Sequence, residues 1–77
     1  MLEDFRLKIF LTLIEARSFT KAASVLGVTQ PAVSQSISEL EKNLGARLFD
    51  RQRGEISLTP AGRIFKIYAQ EILDRYS

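Results

Sequence analysis

Apolar positions recur with helical spacing through the first half of the chain, lose that spacing near residue 46 and regain it from residue 60. Phe5, Ile9 and Leu13 lie at i, i+4 and i+8; Phe10 and Ile14 widen the stripe, and Arg6, Lys8, Thr12 and Glu15 stay off its centre. This predicts a first helix over residues 3–16. Ser18 then offers a hydroxyl to an orphan amide of a second helix, whose narrow apolar face is Phe19, Ala22, Ala23 and Leu26. The two alanines leave room for a close neighbour. Gly27 stands where a left-handed residue ends a helix, and Val28 is placed to plug the angle between two helices. Thr29 is the next capping residue, and Pro31 is tolerated in a first turn because the amide it lacks would be unpaired there. Val33, Ile37, Leu40 and Leu44 repeat at i, i+4, i+7 and i+11, so a third helix spans residues 30–44 and ends at Gly45.

The period then shortens. Residues 47–51 and 55–58 are brief and strand-like, and Gln52-Arg53-Gly54 supplies a turn, giving a two-stranded hairpin with a basic tip. Thr59-Pro60 restarts a helix in which Ala61, Ile64, Phe65, Tyr68, Ile72, Leu73 and Tyr76 keep helical spacing. That helix reaches Ser77 with no terminator, the pattern of a helix cut short. The fold class expected is mainly α with a small β-hairpin: a three-helix core plus a wing, followed by a long linker or dimerisation helix. The winged helix-turn-helix unit would cover residues 1–59, with the helix-turn-helix motif at 18–37 and the wing at 47–58, and the last helix residues 60–77.

Composition narrows the function. Seventy-seven residues allow one domain. There is no cysteine and no histidine, which removes the usual zinc sites, thiol nucleophiles and imidazole bases. Glu39 and Glu41 sit two apart and diverge on a helix. With no nucleophile–base pair, metal cluster or phosphate-cradling glycine loop, neither an enzyme nor a cofactor is expected. Apolar runs are only a few residues long, which argues against a membrane span. The N-terminus is acidic where a signal peptide would be basic.

The net charge of +2 is unevenly spread. Up to residue 44 basic and acidic residues balance. Over residues 45–66, Arg47, Arg51, Arg53, Arg63 and Lys66 face only Asp50 and Glu55. The second helix, the turn at Gly27 and the third helix form a helix-turn-helix, a motif whose second helix lies in the DNA major groove with its N-terminal residues on base edges. Opposite the apolar stripe, the third helix presents Gln30, Pro31, Ala32, Ser34, Gln35 and Ser38. Glutamine pairs bidentately with adenine, serine reaches several base edges, and Pro31 or Ala32 can touch a thymine methyl. No Lys or Arg occurs from residue 29 to 38. The hairpin supplies the charge, with Arg51 and Arg53 for phosphates or a narrow minor groove. The helix starts near Ser18, Thr20 and Thr29 offer amides to phosphate oxygens.

Taken together, Phe10, Ser18-Phe19-Thr20-Lys21-Ala22-Ala23, Leu26, Thr29-Gln30-Pro31-Ala32-Val33-Ser34, Ile37, Leu40-Glu41, Leu44-Gly45, Leu48-Phe49-Asp50-Arg51 and Leu58-Thr59-Pro60-Ala61-Gly62 resemble the N-terminal domain of the LysR-type transcriptional regulators across essentially the whole chain. The resemblance implies a cytoplasmic bacterial regulator of transcription. Base contacts would come from Gln30, Pro31, Ser34 and Gln35, and wing contacts from Arg51 and Arg53. It also implies a fourth helix paired with that of a second subunit, higher oligomers in the full-length protein, and a small-molecule effector bound by a C-terminal domain that these residues do not include. Two positions depart from the family pattern: Gln35 stands where many members carry arginine, and Gly54 falls one residue early.

The expected partner is therefore double-stranded DNA with a pseudo-palindromic operator, bound by a homodimer whose contact stripe is Ile64, Phe65, Tyr68, Ile72 and Tyr76. The alternative is a winged-helix protein-interaction module without DNA binding, since fold does not settle function. Such a module would place aromatic or aliphatic anchors on the third helix.

Overall fold

The computed structural model describes residues 2–52 and 55–76. Helices α1 (Leu2–Ala16), α2 (Phe19–Leu26) and α3 (Gln30–Leu44) are followed by strands β1 (Phe49–Gln52) and β2 (Glu55–Leu58) and by helix α4 (Pro60–Tyr76). The architecture is the expected three-helix core with a two-stranded antiparallel wing and a long last helix.

Local chemistry sets the boundaries. The Ser18 hydroxyl oxygen accepts the Lys21 amide at 3.1 Å, and the Thr29 hydroxyl oxygen accepts the Ala32 amide at 3.2 Å. Each cap satisfies one amide that the first helical turn cannot pair. Gly27 and Gly45 end α2 and α3 in the left-handed region, at φ 71° and 69°. Arg17 ends α1 in the same region at φ 58°, where a side chain is strained.

The core is built on Phe10. Its ring meets Phe49 of β1 at 5.4 Å between centroids and Phe65 of α4 edge-on at 5.1 Å. Around it Leu7, Ile9, Leu13, Ala22, Ala23, Val33, Ile37, Leu40, Leu48 and Ala69 are buried. Because α1 packs against α2, α3 and α4 at once, its buried face is broader than a single stripe. That face turns toward Leu7 and leaves Phe5, assigned to the stripe by spacing, 42% exposed at its border. Leu44, also assigned to a buried stripe, is 45% exposed because it lies at the very end of α3, beyond the helices that cover Val33, Ile37 and Leu40.

Helix α4 carries two apolar faces. Phe65 and Leu73 pack on the core and Ala69 is buried in it, whereas Ile64, Ile67, Tyr68 and Ile72 point outward. Pro60 thus starts an element whose inner face packs on the core shared by α1–α3.

Two ties fix the wing. The Glu41 carboxylate on α3 accepts the amides of Leu48 at 2.7 Å and Phe49 at 3.3 Å. At the other end, the Thr59 hydroxyl donates to the Arg47 carbonyl at 2.5 Å and accepts the Gly62 amide at 2.9 Å, while the Thr59 amide donates to the Leu48 carbonyl at 3.0 Å. Glu39, two residues before Glu41, instead pairs with Arg6 of α1 at 3.5 Å. The two carboxylates diverge as their spacing requires.

Candidate nucleic-acid interface

Burying Val33, Ile37 and Leu40 fixes the rotation of α3, and that rotation decides which residues face water. Gln30, Pro31, Ala32, Gln35 and Ser38 are exposed, and Ser34 is half-buried. The six residues singled out for base contact therefore share one uncovered face. The Gln30 side-chain amide donates to the Ser34 hydroxyl at 3.2 Å. This holds the Gln30 side chain across one turn of the helix and leaves its carbonyl oxygen and a second N–H available, since an amide group carries two donors and an acceptor.

The helix starts complete the surface. Thr29 is exposed and Ser18 half-buried. Each hydroxyl uses its oxygen as acceptor for a backbone amide and keeps its own hydrogen to donate. Thr20, in the first turn of α2, is exposed. The second turn of the motif is tight: only Gly27, Val28 and Thr29 separate α2 from α3.

Arg51 is positioned by an interaction that spacing did not reveal. Its guanidinium lies over the Phe19 ring, 4.0 Å from the centroid. A guanidinium stacked on an aromatic face keeps its edge N–H groups free for an anion while the stem stays ordered. The stack ties β1 to the N-terminus of α2, so Arg51, Ser18 and Thr20 lie together. Arg53 and Gly54, the hairpin tip named from the sequence, lie outside the described residues.

The residues of the expected dimer stripe part company. Ile64 and Tyr68 are 59% and 57% exposed, and Ile72 is exposed beside them. Phe65 is held edge-on against Phe10, so most of its ring belongs to the core. The side chain of Tyr76 lies outside the described residues. Ile67, which the sequence reading passed over, is as exposed as Ile64. Its place three residues after Ile64 was the available signal. Leu44, Ala46 and Leu48 meet Ile64, Phe65 and Tyr68 in an apolar groove between the end of α3 and α4. No described helix is long and apolar enough to cross a membrane.

Comparison with known proteins places this geometry. The sequence model of the bacterial regulatory helix-turn-helix protein, lysR family, matches residues 5–63. The HTH-type transcriptional regulator YybE of Bacillus subtilis (strain 168) is 46% identical over 72 residues, which cover 94% of this chain and 25% of that protein. The chain spans about a quarter of the length of the curated relatives it matches. Among solved structures, a CbnR DBD–DNA complex superposes with a TM-score of 0.90 at 36% identity, over 95% of this chain and 84% of that one. Vibrio fischeri DarR in complex with DNA gives 0.88 at 39% identity, over 95% of this chain and 25% of that one. The family and these relatives are transcriptional regulators, in line with a chain whose sequence offers no catalytic constellation. A capped third helix with an open polar face, a wing tied to Phe19, and a family match spanning most of the sequence agree: this chain belongs to the LysR family of bacterial regulatory helix-turn-helix proteins.

Proposed function

We propose that the chain is the sequence-specific DNA-binding part of a transcriptional regulator. The start of α3 enters the major groove, and Arg51 and Arg53 meet the backbone or the minor groove. The observation that carries this reading is the uncovered face formed by Gln30, Pro31, Ala32, Ser34, Gln35 and Ser38 beside the Arg51–Phe19 stack. It is polar or small throughout, and it carries none of the large apolar anchors that a protein-interaction module needs. Similarity to two proteins solved with DNA supports the same reading. Ser18, Thr20 and Thr29 position the protein through phosphates, and Gln30, Ser34 and Gln35 discriminate bases.

The outward face of α4, from Ile64 through Tyr68 to Ile72 with Ile67 beside it, is the homodimer contact, continued by the groove to Leu44. Large apolar side chains exposed in a row mark contact surfaces. A two-fold dimer places two recognition helices on a pseudo-palindromic operator, with half-sites a whole number of helical turns apart. Regulation by a small effector, higher oligomers and a cytoplasmic location belong to the same proposal for the longer protein.

The test is gel-shift selection from a random duplex pool, followed by Gln30→Ala and Ser34→Ala. Enrichment of a two-fold symmetric site, and loss of preference for it in the variants, is the expected result. Failure of the wild-type chain to retain any duplex at low salt refutes the reading.

A further inference from the structure

A second groove lies between the end of α1, the wing and the start of α4. Its floor is apolar, made by Ile14 of α1 and by Ile56 and Leu58 of β2, and its rim carries Arg17, Arg63 and Lys66. Two parts of the chain therefore deliver three cations to one cleft: Arg17 just after α1, and Arg63 and Lys66 from the first two turns of α4. Neither carboxylate of the wing, Asp50 or Glu55, lines it. Among the described residues Arg17 and Lys66 have no ion pair, and Arg63 makes only a long bond to the Leu58 carbonyl at 3.4 Å, which leaves most of its N–H groups free.

Three unpaired cations around a cleft repel one another and raise the local positive potential. Such a patch recruits an anion that can bridge them. The cleft is also continuous with the proposed DNA surface. Ile56 on its floor is the cross-strand partner of Arg51. Arg17 on its rim directly precedes Ser18, the cap of α2, and Phe19, the ring beneath Arg51. Arg17, next in the chain to Ser18 and Phe19, thus links the cleft it shares with Arg63 and Lys66 to the Arg51–Phe19 stack. Meanwhile the recognition face of α3 has no cation of its own from residue 29 to 38.

We infer that Arg17, Arg63 and Lys66 form a second phosphate-binding strip, which grips the backbone of the DNA duplex beside the site read by α3. The inference rests on the duplex-binding reading and extends it to residues outside the helix-turn-helix motif and the wing tip. The contacts are to phosphates, so they carry affinity and no sequence information. They also resolve an imbalance in the recognition surface, whose base-reading residues are neutral.

Salt titration of duplex binding tests it. Each phosphate neutralised by a cation contributes about 0.9 to the slope of log affinity against log salt. A four-fold rise in salt therefore removes about 3.5-fold of affinity per contact. With a random-sequence duplex as probe, followed by fluorescence anisotropy, Arg63→Gln and Lys66→Gln each lower the slope by about 0.9, and the triple variant with Arg17→Gln lowers it by about 2 to 3. Arg63→Lys retains the wild-type slope. Lys42→Gln, which removes an exposed cation from the last turn of α3, leaves the slope unchanged. Preference for a selected operator over the random duplex persists in every one of these variants, whereas Gln30→Ala reduces it. Equal slopes for wild type and for the two single variants overturn the inference, as does an equal loss in Lys42→Gln. A wild-type chain that binds no duplex overturns the duplex-binding reading as well, so the two failures are distinct.

Discussion

Replacing Gly62 with alanine sets two opposite effects against each other, and the structure decides between them. Gly62 lies in the first turn of α4, where alanine raises helix propensity by about 1 kcal/mol. Chain stiffening in the unfolded state adds in the same direction. Yet a Cβ on Gly62 would sit 2.2 Å from the Leu48 carbonyl oxygen and 2.9 Å from a Leu58 methyl. The nearest atom is backbone, so no side-chain rotation relieves the contact, and α4 must back away from the wing. That movement pulls on the Leu48 carbonyl, which also accepts the Thr59 amide at 3.0 Å, and on the bond from the Thr59 hydroxyl to Arg47. Overpacking costs about 1–3 kcal/mol or more, and a weakened buried hydrogen bond adds about 1 kcal/mol. The expected net effect of Gly62→Ala is a loss of about 2 kcal/mol, a fall in Tm of roughly 8–15 °C for a domain of this size. Urea and thermal unfolding followed by circular dichroism measure it. Gly27→Ala is the control: nothing lies within 4 Å of its Cβ and only the left-handed backbone at φ 71° is strained, so it loses about 1 kcal/mol. If Gly62→Ala matches or exceeds wild-type stability, the close seating of α4 on Leu48 is wrong.

Other consequences follow from single contacts. Glu41→Ala leaves the Leu48 and Phe49 amides without their carboxylate acceptor and lowers unfolding stability by about 2 kcal/mol; hydrogen exchange at those two amides accelerates with it. Arg17→Gly removes a side chain from the left-handed region at φ 58°. It raises stability by about 0.5–1 kcal/mol, less than the full strain because glycine is freer when unfolded. The same variant weakens duplex binding, so stability and affinity move in opposite directions. Tyr68→Glu, at an outward position of α4, shifts sedimentation from dimer to monomer without lowering monomer stability. An unchanged oligomeric state in that variant removes the α4 contact from the account.

Where the sequence was legible, the signal was local. Gly27, Gly45 and the Thr29–Pro31 pair act within one turn of themselves, and the helix boundaries they predict are those observed. The polar face of α3 was legible for a related reason: three buried residues at fixed helical spacing determine where the rest of that helix points. What stayed hidden depends on distant partners. Glu41 looks like any surface acid until the first wing amides arrive above it. Arg51 reads from the sequence as a wing cation for DNA, but its seat does not, because nothing in β1 announces the Phe19 ring more than thirty positions earlier. The apolar positions of α4 read as one broad stripe because two faces are apolar for different reasons. Phe65, Ala69 and Leu73 turn toward the core, and Ile64, Tyr68 and Ile72 turn away from it. Small Ala69 between two large residues is the one sequence trace of that close contact.

Chemical-shift mapping on an isotope-labelled chain gives the most direct check of where DNA binds. On titration with a selected duplex, backbone amides of Thr29, Gln30 and Ala32 to Ser38, of Ser18 to Thr20 and of Arg51 should shift together and in proportion to occupancy, while those of Ile67 to Ile72 move little. Shifts confined to the outward face of α4, with Gln30, Ser34 and Gln35 unmoved at saturation, would contradict the account.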